Sequence, residues 1–290
     1  MAWRAPADAH VPPSDHSPGP PRRPRQEPRM ELQAAVQPIH FVDSSLPLPA
    51  APSLAATPGH STCDTCLVRH VCLPSWLEPG THTSLERAPI ARRRLRKGQS
   101  VFRDGERCEF IYAVRYGSFK SVASLRDGRE QVMSFHLPGE LFGFDGLATG
   151  KHPTTVRAIE DAEVCVLPYA ELSEAAGESR SVLHHLTSTL SAELVRERHV
   201  AALIASTRSE ERVATFLLNL SERLHARGYS ASAFQLRMTR EEIGSYLGAT
   251  LETVSRCLSS LARQGFVTVR RRQIEIIDPE GLRASYADSV

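Results

Sequence analysis

Met238-Thr239-Arg240-Glu241-Glu242-Ile243-Gly244-Ser245-Tyr246-Leu247-Gly248-Ala249-Thr250-Leu251-Glu252-Thr253-Val254-Ser255-Arg256 carries the signals of two short helices joined by a tight turn. Thr239 and Glu242 have the spacing of a capping box, which satisfies the orphan N–H groups at a helix start. Gly248 can adopt the left-handed conformation that ends a helix. Thr250 caps a second helix, expected to run to about Gln264 and to stop at Gly265. Two helices around a glycine turn form a helix-turn-helix. Beyond it, Phe266–Val269 and Ile274–Ile277 read as a two-stranded wing around Arg270–Arg272.

The first residues of the second helix in such a motif reach base edges in the major groove of double-stranded DNA. Here they are Glu252, Ser255 and Arg256. Glutamate can accept from cytosine N4, and arginine can donate twice to guanine. Arg256, Arg263, Arg270, Arg271 and Arg272 are interrupted by no acid, which suits phosphate contacts. The competing reading is a surface ion pair on a protein-binding helix. The agreement of caps, turn and basic wing favours DNA. Cys257 follows Arg256 and reads as a packed residue.

Upstream, Val213, Phe216, Leu217, Leu220 and Leu224 give 209–227 one apolar helical face. From Ala170 to about Ser206 a single helix is expected. It carries Leu183, Thr187, Leu190, Leu194, Glu197, Ala201 and Ile204 at alternating steps of four and three, the seam of a two-stranded coiled coil. That predicts a homodimer, with Glu197 meeting its own copy and making the dimer conditional. The alternative is a helix packed only on its own domain.

Residues 90–168 read as short strands between glycine turns: Ser100–Phe102, Phe110–Arg115, Ser118–Ser124, Gln131–His136, Thr155–Ala158 and Ala162–Leu167. That spacing predicts an antiparallel barrel or jelly roll. Residues 1–60 hold 13 of the 20 prolines and too little apolar surface to offset ordering, so disorder is expected there, with one short ordered piece near Ile39-His40-Phe41. Met30 offers a second start codon; the intact mass of the native protein decides between the two. A short helix is expected at Ser84–Ala88.

The 290 residues allow about two domains, and 41% hydrophobic content supports real cores. No apolar run is long enough for a membrane span, and no apolar stretch behind the N-terminal arginines suggests export, so a cytoplasmic protein is expected. Cysteines in that setting point to ligation or redox chemistry rather than disulfides. Cys63-Asp64-Thr65-Cys66-Leu67-Val68-Arg69-His70-Val71-Cys72 reads C-x2-C-x5-C. Three thiols in one loop suit an iron–sulfur cluster or zinc, or stay unligated in a reducing cytosol. A four-ligand site needs one more, from Cys108, Cys165 or the poorly suited Cys257.

Taken together, these features resemble the FNR branch of the cAMP receptor protein superfamily, bacterial regulators of anaerobic gene expression. The resemblance covers roughly residues 61–280. It rests on the thiol loop, on Cys165-x-x-Pro168, on Phe135-His136-Leu137-Pro138-Gly139-Glu140-Leu141-Phe142-Gly143-Phe144-Asp145, and on Glu252-Thr253-Val254-Ser255-Arg256. It implies an oxygen-labile [4Fe–4S] cluster on Cys63, Cys66, Cys72 and Cys165, and a homodimer that binds an inverted repeat of TTGAT when oxygen is absent. It further implies that the exposed turn Leu125-Arg126-Asp127-Gly128-Arg129-Glu130 touches RNA polymerase. Cys108 has no ligand counterpart in the family pattern. Leu67, Arg69, His70 and Val71 would tune oxygen attack.

The expected fold is therefore α+β. A disordered extension (1–60) and a cluster-binding loop (61–80) precede an N-terminal antiparallel β-roll (jelly-roll) sensor domain (81–169). A long dimerisation helix (170–207) leads to a C-terminal winged helix-turn-helix (208–290). The alternatives are the same fold answering nitric oxide or a cyclic nucleotide, and an iron–sulfur oxidoreductase. His152-Pro153-Thr154-Thr155-Val156-Arg157-Ala158 lacks the Arg-Ser pair that holds a cyclic nucleotide's phosphate. No nucleotide loop, Ser/His/Asp set or HExxH motif supports an enzyme.

Overall fold

Alternating apolar positions curl the first half of the chain into two antiparallel sheets. The computed structural model describes residues 66–72, 90–206 and 208–287; Cys63, the expected helix at Ser84–Ala88 and the piece near Ile39–Phe41 lie outside them. The strands are β1 (Ala91–Leu95), β2 (Ser100–Phe102), β3 (Phe110–Tyr116), β4 (Phe119–Ser124), β5 (Glu130–His136), β6 (Leu141–Phe142), β7 (Thr155–Ala158) and β8 (Ala162–Pro168). One sheet runs β1-β8-β3-β6 and the other β2-β7-β4-β5. Their inner faces meet over Phe102, Tyr112, Phe119, Phe142, Val164 and Val166. Sequence reading overlooked β1, whose Ala-Arg-Arg-Arg-Leu has no apolar alternation, and β6, which is two residues long.

The outer face of the first sheet holds a second core of Ile111, Ala113, Leu141 and Leu167 beneath two helices. These are α1 (Tyr169–Glu178) and α2 (Arg180–Ser206), not the single helix expected from Ala170. Ser179 stands between them in an extended conformation, φ −131 and ψ 120, two residues after Gly177, a poor helix former. That break lets Leu172 and Ala175 of α1 and Val182 of α2 reach the same core.

Along α2, Val182 and Leu203 are buried, and Leu186, Thr189, Glu193, Arg196 and Val200 between them are half-buried. One residue on, the whole heptad stripe is exposed, with Leu183, Leu190, Leu194 and Ile204 at 39–49%. A single chain therefore packs one stripe and presents the neighbouring one, Glu197 included. Among the described residues no helix is long and apolar enough to cross a membrane.

The second half comprises α3 (Ser209–His225), β9 (Ala233–Gln235), α4 (Arg240–Leu247), α5 (Leu251–Arg263), β10 (Val267–Arg270), β11 (Gln273–Ile276) and α6 (Pro279–Ala287). The wing gains β9 as a third strand, in the order β10-β11-β9. Three residues carry too little pattern for sequence reading to register. Val122, Val132 and Phe135 of the β-roll share one core with α3 and the helix-turn-helix. The rings of Phe135, Phe216 and Tyr246 meet edge to face at 5.2–6.1 Å. Ser245 of α4 closes the edge of β5: its Oγ accepts from Val132 N–H at 2.9 Å, and its carbonyl accepts from Gln131.

His136 lies buried beside this interface, bonded to Ser121 Oγ at 2.7 Å and Ser134 Oγ at 3.0 Å. Burial chiefly holds its pKa down to about 4 from 6.5, with Arg223 and Arg196 acting the same way against Glu140. The unfolded chain therefore binds the proton more readily. Stability from this site is complete above pH 6.5 and is lost as pH falls towards 4. Urea unfolding at about pH 5 should show roughly 2 kcal/mol less stability from this residue than at neutral pH. His136→Gln should remove that share of the pH dependence, and an unaltered pH dependence in the variant would contradict it.

Candidate functional site

Cys165 sits in the middle of β8, paired with Arg92 of β1 on one side and Ala113 of β3 on the other. Directly paired residues share a sheet face. Cys165 therefore points outward with Ala113, Glu163 and Leu167, away from the inner core. It stands where that face changes character. Ile111, Ala113, Leu141 and Leu167 make one half apolar, whereas Arg92, Arg94, Arg115 and Glu163 make the other charged. Burial would raise the Glu163 carboxyl, but bonds from Arg94 at 2.9 Å and Arg115 at 2.7 Å hold it below the usual carboxylate range.

The thiol loop comes to this same face. Cys72 packs on the apolar half together with Cys165, and the charge of Arg115 is supported chiefly by Glu163, with the Cys66 and Cys165 thiols adding to it. Among the described residues, no three His, Cys, Asp or Glu side chains are gathered as a metal site; Cys63 is not among them. Cys108 is half-buried on another part of the β-roll, its Sγ donating to Gly143 O at 3.3 Å. Burial pushes its thiol up, and does the same for Cys257, which is buried on α5.

A turn of 3-10 helix, Arg69–Val71, seats the loop on the β-roll. Val68 is buried, and Gly139 has φ +85; a Cβ there would come within 2.5 Å of Val71 Cγ2. Glycine is thus required twice over, for the backbone angle and for the contact. The next residue, Glu140, anchors the other domain. Its carboxylate bonds Arg223 at 2.7 and 3.0 Å and Arg227 at 2.7 Å, and these guanidinium groups also donate to Phe135 O and Pro138 O. Burial alone would raise Glu140, but the two arginines hold it down to about 2. No local pattern marks this cluster, whose partners lie more than 80 residues apart.

The helix-turn-helix forms as its caps dictate. Thr239 and Glu242 close the capping box, Gly248 takes φ 62, and Thr250 accepts from Thr253 N–H. Val254, Leu258 and Leu261 bury one face of α5, leaving Glu252 and Arg256 exposed and Ser255 half-exposed. The helix's own N–H and the Thr250 hydroxyl keep Glu252 ionised by lowering its pKa. Ser255 Oγ accepts from Arg240 at 3.1 Å, so Arg240, which sequence reading passed over, reaches this surface too. Arg271 has φ 58 at the tip of the wing. The turn 125–130 is an exposed hairpin, closed by Leu125 N–H to Arg129 O at 2.8 Å.

Before β7, the stretch lacking an Arg-Ser pair is tied to a carboxylate. Asp145 accepts from His152 Nδ1 at 3.0 Å and Thr154 Oγ1 at 2.6 Å, and His152 stacks on Phe102 at 3.6 Å. A carboxylate there repels a phosphate.

A β-roll joined through a long helix to a winged helix-turn-helix is the build of a DNA-binding transcription regulator. Residues 92–179 match the family described as "Cyclic nucleotide-binding domain", and residues 211–285 match "Crp-like helix-turn-helix domain". The "Transcriptional regulatory protein btr" of Bordetella pertussis is 38% identical over 227 residues, 78% of this chain and 94% of that protein. The "Anaerobic regulatory protein" of Haemophilus influenzae is 37% identical over 220 residues, 76% of this chain and 86% of that protein. The solved structure of FixK2 from Bradyrhizobium japonicum is 36% identical with a TM-score of 0.62, and the match covers 67% of this chain and 96% of that one. The chain belongs to the FNR branch of the CRP/FNR family, whose members are regulators and not enzymes.

Exposed Arg256 and Arg271 should separate base reading from phosphate contact. Arg256→Ala is expected to cost about 1–3 kcal/mol of discrimination at one base pair. Arg271→Ala should weaken binding to all sequences alike and reduce the salt slope by about 1. Titration of matched and mismatched duplexes at several salt concentrations measures both, and full sequence preference in Arg256→Ala would refute the base contact.

Proposed function

We propose that this chain is a cytoplasmic, oxygen-responsive transcription regulator. Cys63, Cys66, Cys72 and Cys165 would hold a [4Fe–4S] cluster, and the loaded chain would bind TTGAT-type inverted repeats as a homodimer. The observation that carries this reading is that Cys72 of the thiol loop packs with Cys165 on one outer sheet face, beside Arg115, whose charge the Cys66 and Cys165 thiols support. The residues present fit such a group. The donors are thiols, the ligand type of iron–sulfur clusters. Arg92 Nε and Arg115 Nε are buried on the same face with no hydrogen-bond partner among the described residues. When bound, a cluster of this kind supplies reactivity towards oxygen, which removes it.

The chain's own residues give that loss a path to DNA. Gly139 touches the thiol loop and Glu140 holds α3, so the seat of the loop and the anchor of the DNA-binding domain are consecutive residues. The exposed α2 stripe would pair with its own copy, and the 125–130 turn would meet RNA polymerase; transcription in vitro with that turn replaced reads the contact. The carboxylate of Asp145 favours this reading over a cyclic nucleotide.

Iron and sulfide should be counted in anaerobically prepared Cys→Ser variants. Cys165→Ser should fail to assemble a cluster, whereas Cys108→Ser and Cys257→Ser should load like the parent. A fully loaded Cys165→Ser would remove the fourth ligand.

Glu197 would set the dimer's balance. Two carboxylates about 4 Å apart across a two-fold repel by ~1 kcal/mol in water and ~4 kcal/mol at an effective dielectric of 20. Glu197→Ala should then dimerise under air. Sedimentation showing a monomer indistinguishable from the parent would place oxygen control elsewhere.

A further inference from the structure

We infer that Arg92 and Arg115 are positioning residues for the cluster, forming with Arg94 a counter-charged half-face on which an anionic group is seated. The inference rests on the cluster reading above and adds the chain's means of holding the charge. Strand register brings these groups together: Arg92 pairs with Cys165 and Arg94 with Glu163, while Arg115 lies two residues beyond Ala113, Cys165's partner on β3. Arg94 and Arg115 share the Glu163 carboxylate, and Arg92 adds a third guanidinium with no acid partner among the described contacts, so the formal charge on this half-face is two positive in excess. A [4Fe–4S] cluster on four thiolates is a dianion, so the face matches it in sign, with Arg92 and Arg115 closer in than Arg94, which is 84% exposed and screened by water.

Solvation and hydrogen bonding point the same way. Glu163 occupies Nη1 of Arg115 and Nε of Arg94. The Nε–H groups of Arg92 and Arg115 stay buried without a partner among the described residues. A buried donor left unpaired costs free energy, and sulfur acceptors beside Cys165 would satisfy it. A purely structural role would need only Glu163 as partner. It would explain neither the extra charge nor Arg92, which pairs with Cys165 rather than with an acid.

The test uses the full chain reconstituted anaerobically with iron and sulfide, then titrated with a chelator. Arg115→Met and Arg92→Met should each release iron at roughly a tenth of the chelator concentration the parent withstands, the lower end of what such outer groups contribute. Their reduction potentials should fall, since a positive charge has been removed. Arg115→Lys should recover the potential, and melting of cluster-free Arg92→Met should match the cluster-free parent. Parental chelator resistance and potential in both Met variants would overturn the inference while leaving the cluster reading intact. Failure of the parent itself to take up iron and sulfide would instead overturn that reading. If Arg115→Met misfolds for want of its Glu163 bond, Arg92→Met alone decides, since no ion pair depends on it among the described contacts.

Discussion

The structure depends on a buried carboxylate held by two arginines. Glu140 belongs to the β-roll, while Arg223 lies in the last turn of the helix that leads into the DNA-binding domain and Arg227 in the turn just beyond it. Each side chain is 10–12% exposed, so none can fall back on water. Removing one member of such a buried set typically costs about 3–5 kcal/mol, because the remaining charges are left uncompensated. A hydrophobic interface alone would tolerate sliding. The fork geometry of two guanidinium groups on one carboxylate fixes register as well as contact. Phe135, Ser245 and Tyr246 then pack against a defined partner surface.

That anchor stands next to the seat of the thiol loop. Gly139 has no side chain, so Val71 lies against its backbone, and Glu140 is covalently next in line. A change in how the loop sits therefore arrives one residue from the ion cluster that positions the helix-turn-helix. The long helix adds a second connection. Its packed stripe joins Val182 in the β-roll's outer core to Val200 in the core shared with the DNA-binding domain, and its exposed stripe faces outward beside it.

Much of this was legible in the sequence. The helix-turn-helix was clear because capping is a local code: Thr239, Glu242, Gly248 and Thr250 each act within a few residues. The larger strands were visible through their glycine turns. The exposed heptad stripe was legible as well, since a seam is a pattern on one helix. Other features stayed hidden for physical reasons. Arg-rich β1 gains its place from pairing with β8, not from its own propensity. The break at Ser179 is set by where α1 and Val182 must meet the sheet. The Glu140 cluster and the charged half-face around Cys165 arise only when distant segments meet, and no sequence window contains them.

The central claim is that occupancy of the thiol face governs DNA binding. Anaerobic protein of known iron and sulfide content, titrated against a fluorescent duplex bearing the TTGAT inverted repeat, tests it most directly when air is admitted during the measurement. The account predicts that anisotropy falls in step with the loss of cluster absorption and recovers after anaerobic reconstitution. Binding that is equally tight before and after the absorption bleaches would contradict it.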